Sequence, residues 1–234
     1  RTPVYQRNNS LISMGMILPT SRLTESAKID YVVNYFSKLH RFRNGEILFG
    51  KNIVISDGFK DEKGVVKMAS SIDRWKNIDV LRYGRTKDYN FSGVDSIWKS
   101  DFLEKFGNGS YEIAHFNVHG SPDYHAFGIT KSDLDNYLDR INIQLIDINS
   151  CNVGMFQFDG QYLAGEYLNK GNVLNVHAYS DLLFSITVGD VSALESAYLF
   201  DGKFTYMNSG YNVSDSYRWS NQYLDIDILL GDPL

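Results

Sequence analysis

Apolar residues along the chain follow two different periods. Ile29, Val32, Val33, Phe36 and Leu39 recur every three or four residues, which predicts a helix over 26–40. Short apolar runs closed by polar residues or glycine predict buried strands, at 51–56, 78–83, 111–118, 143–149 and 172–179. Amphipathic stretches between the strands predict further helices, near 64–75, 92–106, 130–138, 160–168 and 191–200. Residues 1–25 are predicted to be irregular, and the part after 200 is predicted to be more loosely structured.

Strands that alternate with helices of this length predict right-handed crossovers and a mainly parallel sheet. The strand candidates are rich in β-branched and apolar residues, as expected of strands covered on both faces. The sequence therefore predicts an α/β three-layer sandwich with helices on both faces of the sheet. No linker or repeat interrupts 45–234, so we expect one domain there, with 1–44 as an N-terminal extension packed on it.

Composition excludes some classes of protein. The 234 residues carry a formal net charge of −5 without a basic block, which argues against nucleic-acid binding. No apolar stretch approaches the roughly 18 residues of a membrane-spanning helix. A nucleotide-binding α/β protein is disfavoured as well, because residues 57–60 (Asp-Gly-Phe-Lys) stand where a glycine-rich loop would follow the first strand.

The chain has one cysteine, Cys151. A lone cysteine is more often a buried, apolar-like side chain than a reactive thiol. Here, however, Cys151 follows one predicted strand and His119 follows the preceding one, 32 residues earlier. Functional groups of open α/β sheets gather beyond the carboxyl ends of the strands, and a neighbouring imidazolium raises the thiolate fraction of a cysteine. The sequence thus predicts a catalytic pair of His119 and Cys151.

Gly120 stands next to the predicted catalytic histidine. Because glycine has no Cβ, its backbone can approach a scissile carbonyl closely. The amide N–H groups of Gly120 and Cys151 are therefore predicted to bind the oxyanion that develops during attack. The alternative is a non-catalytic binding module on the same fold, in which the thiol is buried and inert.

A metal site is not indicated by the histidines. His115 and His119 would lie about 13 Å apart along an extended strand, and no cysteine or carboxylate spacing completes a zinc set with His125. No metal ligand is assigned. Asp147 lies inside a predicted strand, where an unpartnered carboxylate is costly, so we expect it to meet a hydrogen-bond partner.

Three motifs resemble those of the gingipain family, in the caspase–legumain–gingipain clan of cysteine peptidases. They are the His-Gly-Ser corner at 119–121 with Phe-Gly at 127–128, Ser-Cys-Asn-Val-Gly at 150–154, and Leu-Leu-Gly-Asp-Pro at 229–233. The resemblance implies a caspase-like fold over about 45–234 and cysteine endopeptidase activity through a thioester intermediate. It implies protein or peptide substrates and no required cofactor.

The resemblance also suggests which residues meet the substrate. In that family the primary specificity pocket follows the strand after the nucleophile, where this chain has Tyr179 and Asp181. Asp181 is predicted to pair with a basic P1 side chain, with helix N-capping as its alternative role. Residues 182–184 are Leu, Leu and Phe, where a bulky indole is expected from the family. His125, in the loop after the His-Gly-Ser corner, is predicted to line the cleft.

The remaining expectations rest on the resemblance as well. Asp57 and Asp61 are the candidates for an acid that orients His119. Calcium is a candidate structural ion, because several loop carboxylates are of the oxygen type it prefers. The family likeness implies a bacterial enzyme that is secreted or lies at the cell surface. The natural substrate and the oligomeric state are left open.

Overall fold

A six-stranded sheet forms the centre of the molecule. The computed structural model describes residues 15–20, 22–57, 66, 69–70, 72–82, 96–125, 128–137, 140–157, 162–181, 203–213, 215–216 and 227–232. The helices are α1 Glu25–Arg43, α2 Ser96–Asn108, α3 Lys131–Tyr137 and α4 Leu163–Asn169. The strands are β1 Asn52–Asp57, β2 Asn77–Arg82, β3 Ser110–Asn117, β4 Gly120–Ser121, β5 Tyr124–His125, β6 Ile129–Thr130, β7 Asn142–Asn149, β8 Asn175–Tyr179 and β9 Asp227–Gly231. Residues 203–208 are also helical.

The central sheet has the order β2-β1-β3-β7-β8-β9, and its first five strands run parallel. This confirms the predicted mainly parallel α/β sheet. The predicted helix at 191–200 lies outside the described residues. Of the one at 64–75 the structure describes 66, 69–70 and 72–75, and 66 and 69–70 are helical. The three short strands β4, β5 and β6 form a separate antiparallel sheet directly after the histidine corner.

The chain after residue 200 is more regular than the sequence predicts. β9 pairs antiparallel with β8, and residues 203–208 form a helical turn. Both segments are therefore more ordered than the loosely structured C-terminal part predicted from the sequence. The apolar run of β9 is only Ile228, Leu229 and Leu230, too short to show a period of its own, and the neighbouring strand supplies its hydrogen bonds.

Apolar side chains cover both faces of the sheet, which produces the predicted three layers. Helices α1 to α4 pack on one face, against Ala114, Phe116, Ile146 and other alternate strand residues. The second face, through Ile113 and Leu145, packs against Phe204, Met207 and further residues of the segments around 69–75 and 203–213. From Ile113 and Leu145 onwards, the odd-numbered positions of β3 and β7 therefore point to the layer that contains the 203–208 segment.

Helix α1 has the predicted location, but only part of its predicted apolar face is buried: Leu39 is in the core and Val32 packs against it. Tyr31 and Tyr35 are buried, and their hydroxyls donate to the main-chain oxygens of Gly165 (2.9 Å) and Leu174 (3.2 Å). A tyrosine can fill apolar space and also satisfy a buried carbonyl, which the aliphatic residues cannot do. The exposed apolar residues, with exposed fractions of 62%, 57% and 54%, are Ile29, Val33 and Phe36. Helix α1 thus packs on the sheet domain; the division at residue 44 stays a prediction.

Candidate active site

Both predicted catalytic residues lie at the same edge of the sheet, on neighbouring strands. β3 and β7 are paired in parallel with Asn117 opposite Asn149, so His119 and Cys151 each stand two residues beyond the paired ends. The amide of Val118 donates to the carbonyl oxygen of Asn149 at 3.1 Å, which extends the contact by one residue. The fold therefore brings the histidine corner and the cysteine turn together without a long connection.

Gly120 packs directly against the cysteine turn. A Cβ atom at this position would overlap Ser150 Oγ and would lie 2.6 Å from Val153 Cγ2 and 3.2 Å from the carbonyl oxygen of Cys151. These distances are below or at the limit of real Cβ contacts, so only glycine fits without movement of the turn. The two loops that carry the predicted dyad are in direct contact here.

The chain turns sharply at the cysteine. The amide of Ser150 donates to the carbonyl of Ile148 at 3.1 Å, which ends β7. Asn152 has a φ of +58°, a left-handed conformation that asparagine tolerates better than most residues. Its carbonyl accepts from the amide of Met155 at 2.9 Å and closes the turn. Cys151, partly exposed at the start of this turn, is accessible at the sheet edge.

The end of β8 is hydrogen-bonded to the same turn. Asn152 N–H donates to the Asp181 carbonyl oxygen at 3.0 Å, and Gly154 N–H donates to that of Tyr179 at 2.8 Å. Asp181 is exposed, whereas Tyr179 is fully buried with its ring 5.2 Å from that of His177. The structure thus places Asp181 beside the cysteine turn, where its carboxylate faces solvent. Residues 182–184 lie outside the described part of the chain.

Half-burial of His119 affects its protonation. Desolvation lowers the pKa of its imidazole below the ordinary value of about 6.5. At neutral pH the ring is therefore neutral and able to accept a proton. The prediction from the sequence was instead an imidazolium beside the thiol.

The other predicted site residues are located differently. Asp57 ends β1 and is paired with Asn117, so its backbone lies at the same sheet edge as His119. Asp61 lies outside the described residues, and the orienting acid stays a prediction for both. His125 is fully buried, with Nε2 2.5 Å from Tyr167 Oη and its ring against Phe102 and Phe116. The structure places the His125 side chain in the core, where it has no exposed surface.

A buried row of ionisable side chains, which was not predicted from the sequence, lies beneath this edge. Asp147 on β7 is fully buried between His115 on β3 and His177 on β8, which are its register partners. His115 Nδ1 lies 2.6 Å from Asp147 Oδ2, and His177 Nδ1 lies 2.7 Å from Oδ1. The expectation that Asp147 meets hydrogen-bond partners is confirmed.

Lys203 completes this buried cluster from the facing layer. Its side chain is 1% exposed, and Nζ lies 3.3 Å from Asp147 Oδ1 and 3.2 Å from Asn149 Oδ1. Burial raises the pKa of Asp147, but the ammonium of Lys203 and hydrogen bonds from the two histidines outweigh it. The pKa of Asp147 is held well below its usual value, so the buried carboxylate is charged at neutral pH.

Asp147→Ala should lower the free energy of unfolding by about 3–5 kcal/mol, because it leaves the Lys203 ammonium buried without its carboxylate. Urea denaturation followed by circular dichroism measures the change. Asp135→Ala is the matched control: Asp135 forms partly exposed ion pairs with Lys131 and Lys170, for which about 1 kcal/mol or less is expected.

The pH dependence of stability tests the same cluster. The carboxyl of Asp147 titrates at a lower pH in the folded chain than in the unfolded chain. Its contribution is therefore complete above its ordinary pKa of about 3.9 and is lost as the pH falls towards the folded pKa. Asp147→Asn should flatten this loss. A cost below about 1 kcal/mol for Asp147→Ala, as for the control, would contradict the prediction.

Two further properties of the described residues bear on the site. Within them, no three His, Cys, Asp or Glu side chains are grouped as a metal site requires. None of the helices described in this part of the chain is long and apolar enough to cross a membrane.

Comparison with solved structures finds proteases. The Arg-specific cysteine proteinase gingipain R superposes with a TM-score of 0.57 at 11% identity, over 79% of this chain and 46% of that one. A second structure, described only as a protease, gives 0.51 at 12% identity, over 87% of this chain and 52% of the other. The chain spans about half the length of each. No protein-family model and no curated protein sequence matches it. The chain has the caspase-like α/β fold of gingipain R, which confirms the resemblance seen in its motifs at the level of the fold.

Proposed function

We propose that the chain is a cysteine endopeptidase that uses Cys151 as nucleophile and His119 as general base and acid. One observation carries the proposal: the two residues follow adjacent parallel strands at one edge of the sheet, and Gly120 joins their loops by direct contact. The fold is shared with proteases, and a partly exposed thiol at this edge is accessible to a peptide.

Acylation begins with proton transfer from the Cys151 thiol to the neutral His119 imidazole. The sulfur attacks the peptide carbonyl carbon, and the oxyanion accepts hydrogen bonds from the N–H groups of Gly120 and Cys151. Each such donor contributes about 2.7–4 kcal/mol in well-studied proteases. The tetrahedral intermediate collapses as His119 returns its proton to the leaving amine, so the C–N bond breaks and a thioester remains.

Deacylation uses the same groups in reverse. Water transfers a proton to His119 as its oxygen attacks the thioester carbonyl, and collapse of the second tetrahedral intermediate expels the Cys151 sulfur. The proton returns to sulfur from the imidazolium, and the carboxyl product leaves. A lowered pKa of His119 suits the acid half of each step, because the imidazolium gives up its proton readily.

The substrate class follows from Asp181. Its exposed carboxylate is carried by a segment that is hydrogen-bonded to the cysteine turn, which supports pairing with a basic P1 side chain. Gingipain R is Arg-specific, in agreement with this choice.

A bacterial, secreted or surface location and calcium as a structural ion belong to the same proposal and rest on the motif resemblance.

Active-site labelling tests the proposal. A peptidyl chloromethyl ketone that ends in lysine should add one equivalent to the folded chain, on Cys151, as measured by intact mass and peptide mapping. Cys151→Ala should take up none. A reagent with the same peptide but aspartate at P1 is the matched control for Asp181 and should react more slowly.

A non-catalytic binding module gives a different pattern. Its thiol would react with iodoacetamide only after denaturation, and the peptidyl reagents would leave the folded chain unmodified. That pattern, in a sample shown to be folded by circular dichroism, would overturn the proposed activity.

A further inference from the structure

The strands that carry the dyad also carry a column of buried polar side chains. Alternate residues of β3 and β7 point to the layer that contains the 203–208 segment. The first such pair, Ile113 and Leu145, is apolar. Each following pair of inward-facing side chains, up to the edge of the sheet, is polar. In register pairs they are His115 with Asp147 and Asn117 with Asn149, followed by His119 and Cys151.

Lys203 contacts two successive levels of this column. It reaches the carboxylate of Asp147 at 3.3 Å and the side-chain oxygen of Asn149 at 3.2 Å. One buried cation therefore fixes two consecutive inward side chains of β7. The second of them, Asn149, precedes Cys151 by two residues in the chain.

Asn149 transmits the contact to the other strand. Its side chain accepts from Lys203, while its main-chain oxygen accepts from the amide of Val118, the residue before His119. A residue held at both ends sets the spacing of the two strand ends. Movement of Asn149 would shift the positions from which both dyad residues project.

A buried lysine at position 203 is better suited to holding polar side chains in place than to filling the apolar core. Its neighbours in the same segment, Phe204 and Met207, are buried apolar residues that pack on the sheet. A buried ion pair often stabilises a fold less than an apolar replacement of the same size would. With Asp147 charged, the pair also adds no net charge beneath the thiol.

We propose that Lys203 is a positioning residue for the catalytic dyad, acting through Asp147 and Asn149 on the ends of β7 and β3. The inference rests on the proposed peptidase function and goes beyond it, because Lys203 touches neither substrate nor the reacting atoms. Misplacement of reacting groups by about 1 Å can cost on the order of 100-fold in rate, so a small shift of the strand ends is sufficient.

The test compares Lys203→Met, which keeps the length and removes the charge, with Lys203→Gln, which keeps a hydrogen-bond donor. Hydrolysis of a lysyl peptide substrate should show kcat lowered by about 10- to 100-fold in Lys203→Met, with KM within about twofold. Lys203→Gln should recover part of the loss. Lys131→Met is the matched control, since it removes an ion pair with Glu166 at 3.0 Å on the opposite face, and its kcat should be unchanged.

A second readout does not need catalysis. Hydrogen exchange of the Val118 amide, measured by NMR in the folded chain, should be at least about tenfold faster in Lys203→Met, because its acceptor on Asn149 is less restrained. If Lys203→Met does not fold, Asn149→Ala takes its place in both measurements, with the same expected results.

The outcomes separate the two proposals. An inactive wild-type chain with faster Val118 exchange in Lys203→Met would overturn the peptidase function and support the positioning. An active wild type in which Lys203→Met matches the Lys131→Met control in kcat and in exchange would overturn the positioning role alone.

Discussion

Replacement of Cys151 by alanine should abolish peptide hydrolysis, and replacement of His119 by alanine should lower kcat by about 10²–10⁴-fold. Without sulfur there is no acyl acceptor, so no thioester forms. Without the imidazole the thiol keeps its proton, and the leaving amine has no acid. Initial rates with a lysyl peptide amide, together with detection of the acyl-enzyme by mass spectrometry, measure both effects.

The two residues act as a unit, so their effects should not add. The double variant should be no slower than Cys151→Ala alone. His40→Ala is the matched control for the histidine, because His40 is exposed on α1 and its side chain contacts Asn44 one turn away, at 2.9 Å. Hydrolysis that persists in purified Cys151→Ala, or a His119→Ala variant with the kcat of the control, would contradict the assignment.

The positions of His119 and Cys151 could be predicted because they depend on where two strands end. They do not depend on long-range side-chain contacts. Parallel strands align their carboxyl ends, so a histidine and a cysteine that each follow a strand reach one edge once the strands are neighbours. The sequence showed both strands by their apolar runs. It also showed that a single crossover connects them, and the observed β3–β7 pairing agrees.

The structural features that the sequence did not predict depend on contacts with residues far away in the chain. Lys203 meets Asp147, 56 residues earlier, and no local period marks a lysine that is to be buried. β9 has three consecutive apolar residues and obtains its hydrogen bonds from β8. In α1, apolar spacing predicted the helix, but tyrosine hydroxyls that satisfy Gly165 and Leu174 decided which face is buried.

The buried polar column and the half-buried imidazole have one physical consequence in common. Both remove ionisable groups from water at a single sheet edge, and the surroundings shift the pKa of two of these groups, Asp147 and His119. Asp147 is kept charged by Lys203 and the histidines, whereas His119 is kept neutral by desolvation. The candidate site thus has the buried ion pair of Asp147 and Lys203 below it and a proton acceptor at its surface.

Gly120→Ala should lower kcat/KM by about 10²–10³-fold, the loss that follows removal of one oxyanion donor. The added methyl group would overlap Ser150 Oγ and press on Val153 Cγ2 at 2.6 Å. The histidine corner and the cysteine turn must therefore separate, which moves the Gly120 amide away from the oxyanion. The free energy of unfolding should fall by only about 1–3 kcal/mol, as is usual for overpacking.

Gly45→Ala separates this effect from a general cost of replacing glycine. Gly45 has a φ of +75° and open space around it, so alanine there is strained by about 1–2 kcal/mol but touches nothing. It should lose stability without losing kcat/KM. Equal kcat/KM values for Gly120→Ala and Gly45→Ala, measured below both unfolding transitions, would show that contact between the two loops does not set the geometry of the dyad. A selective loss in Gly120→Ala would show that it does, because only there does the methyl group force the two loops apart.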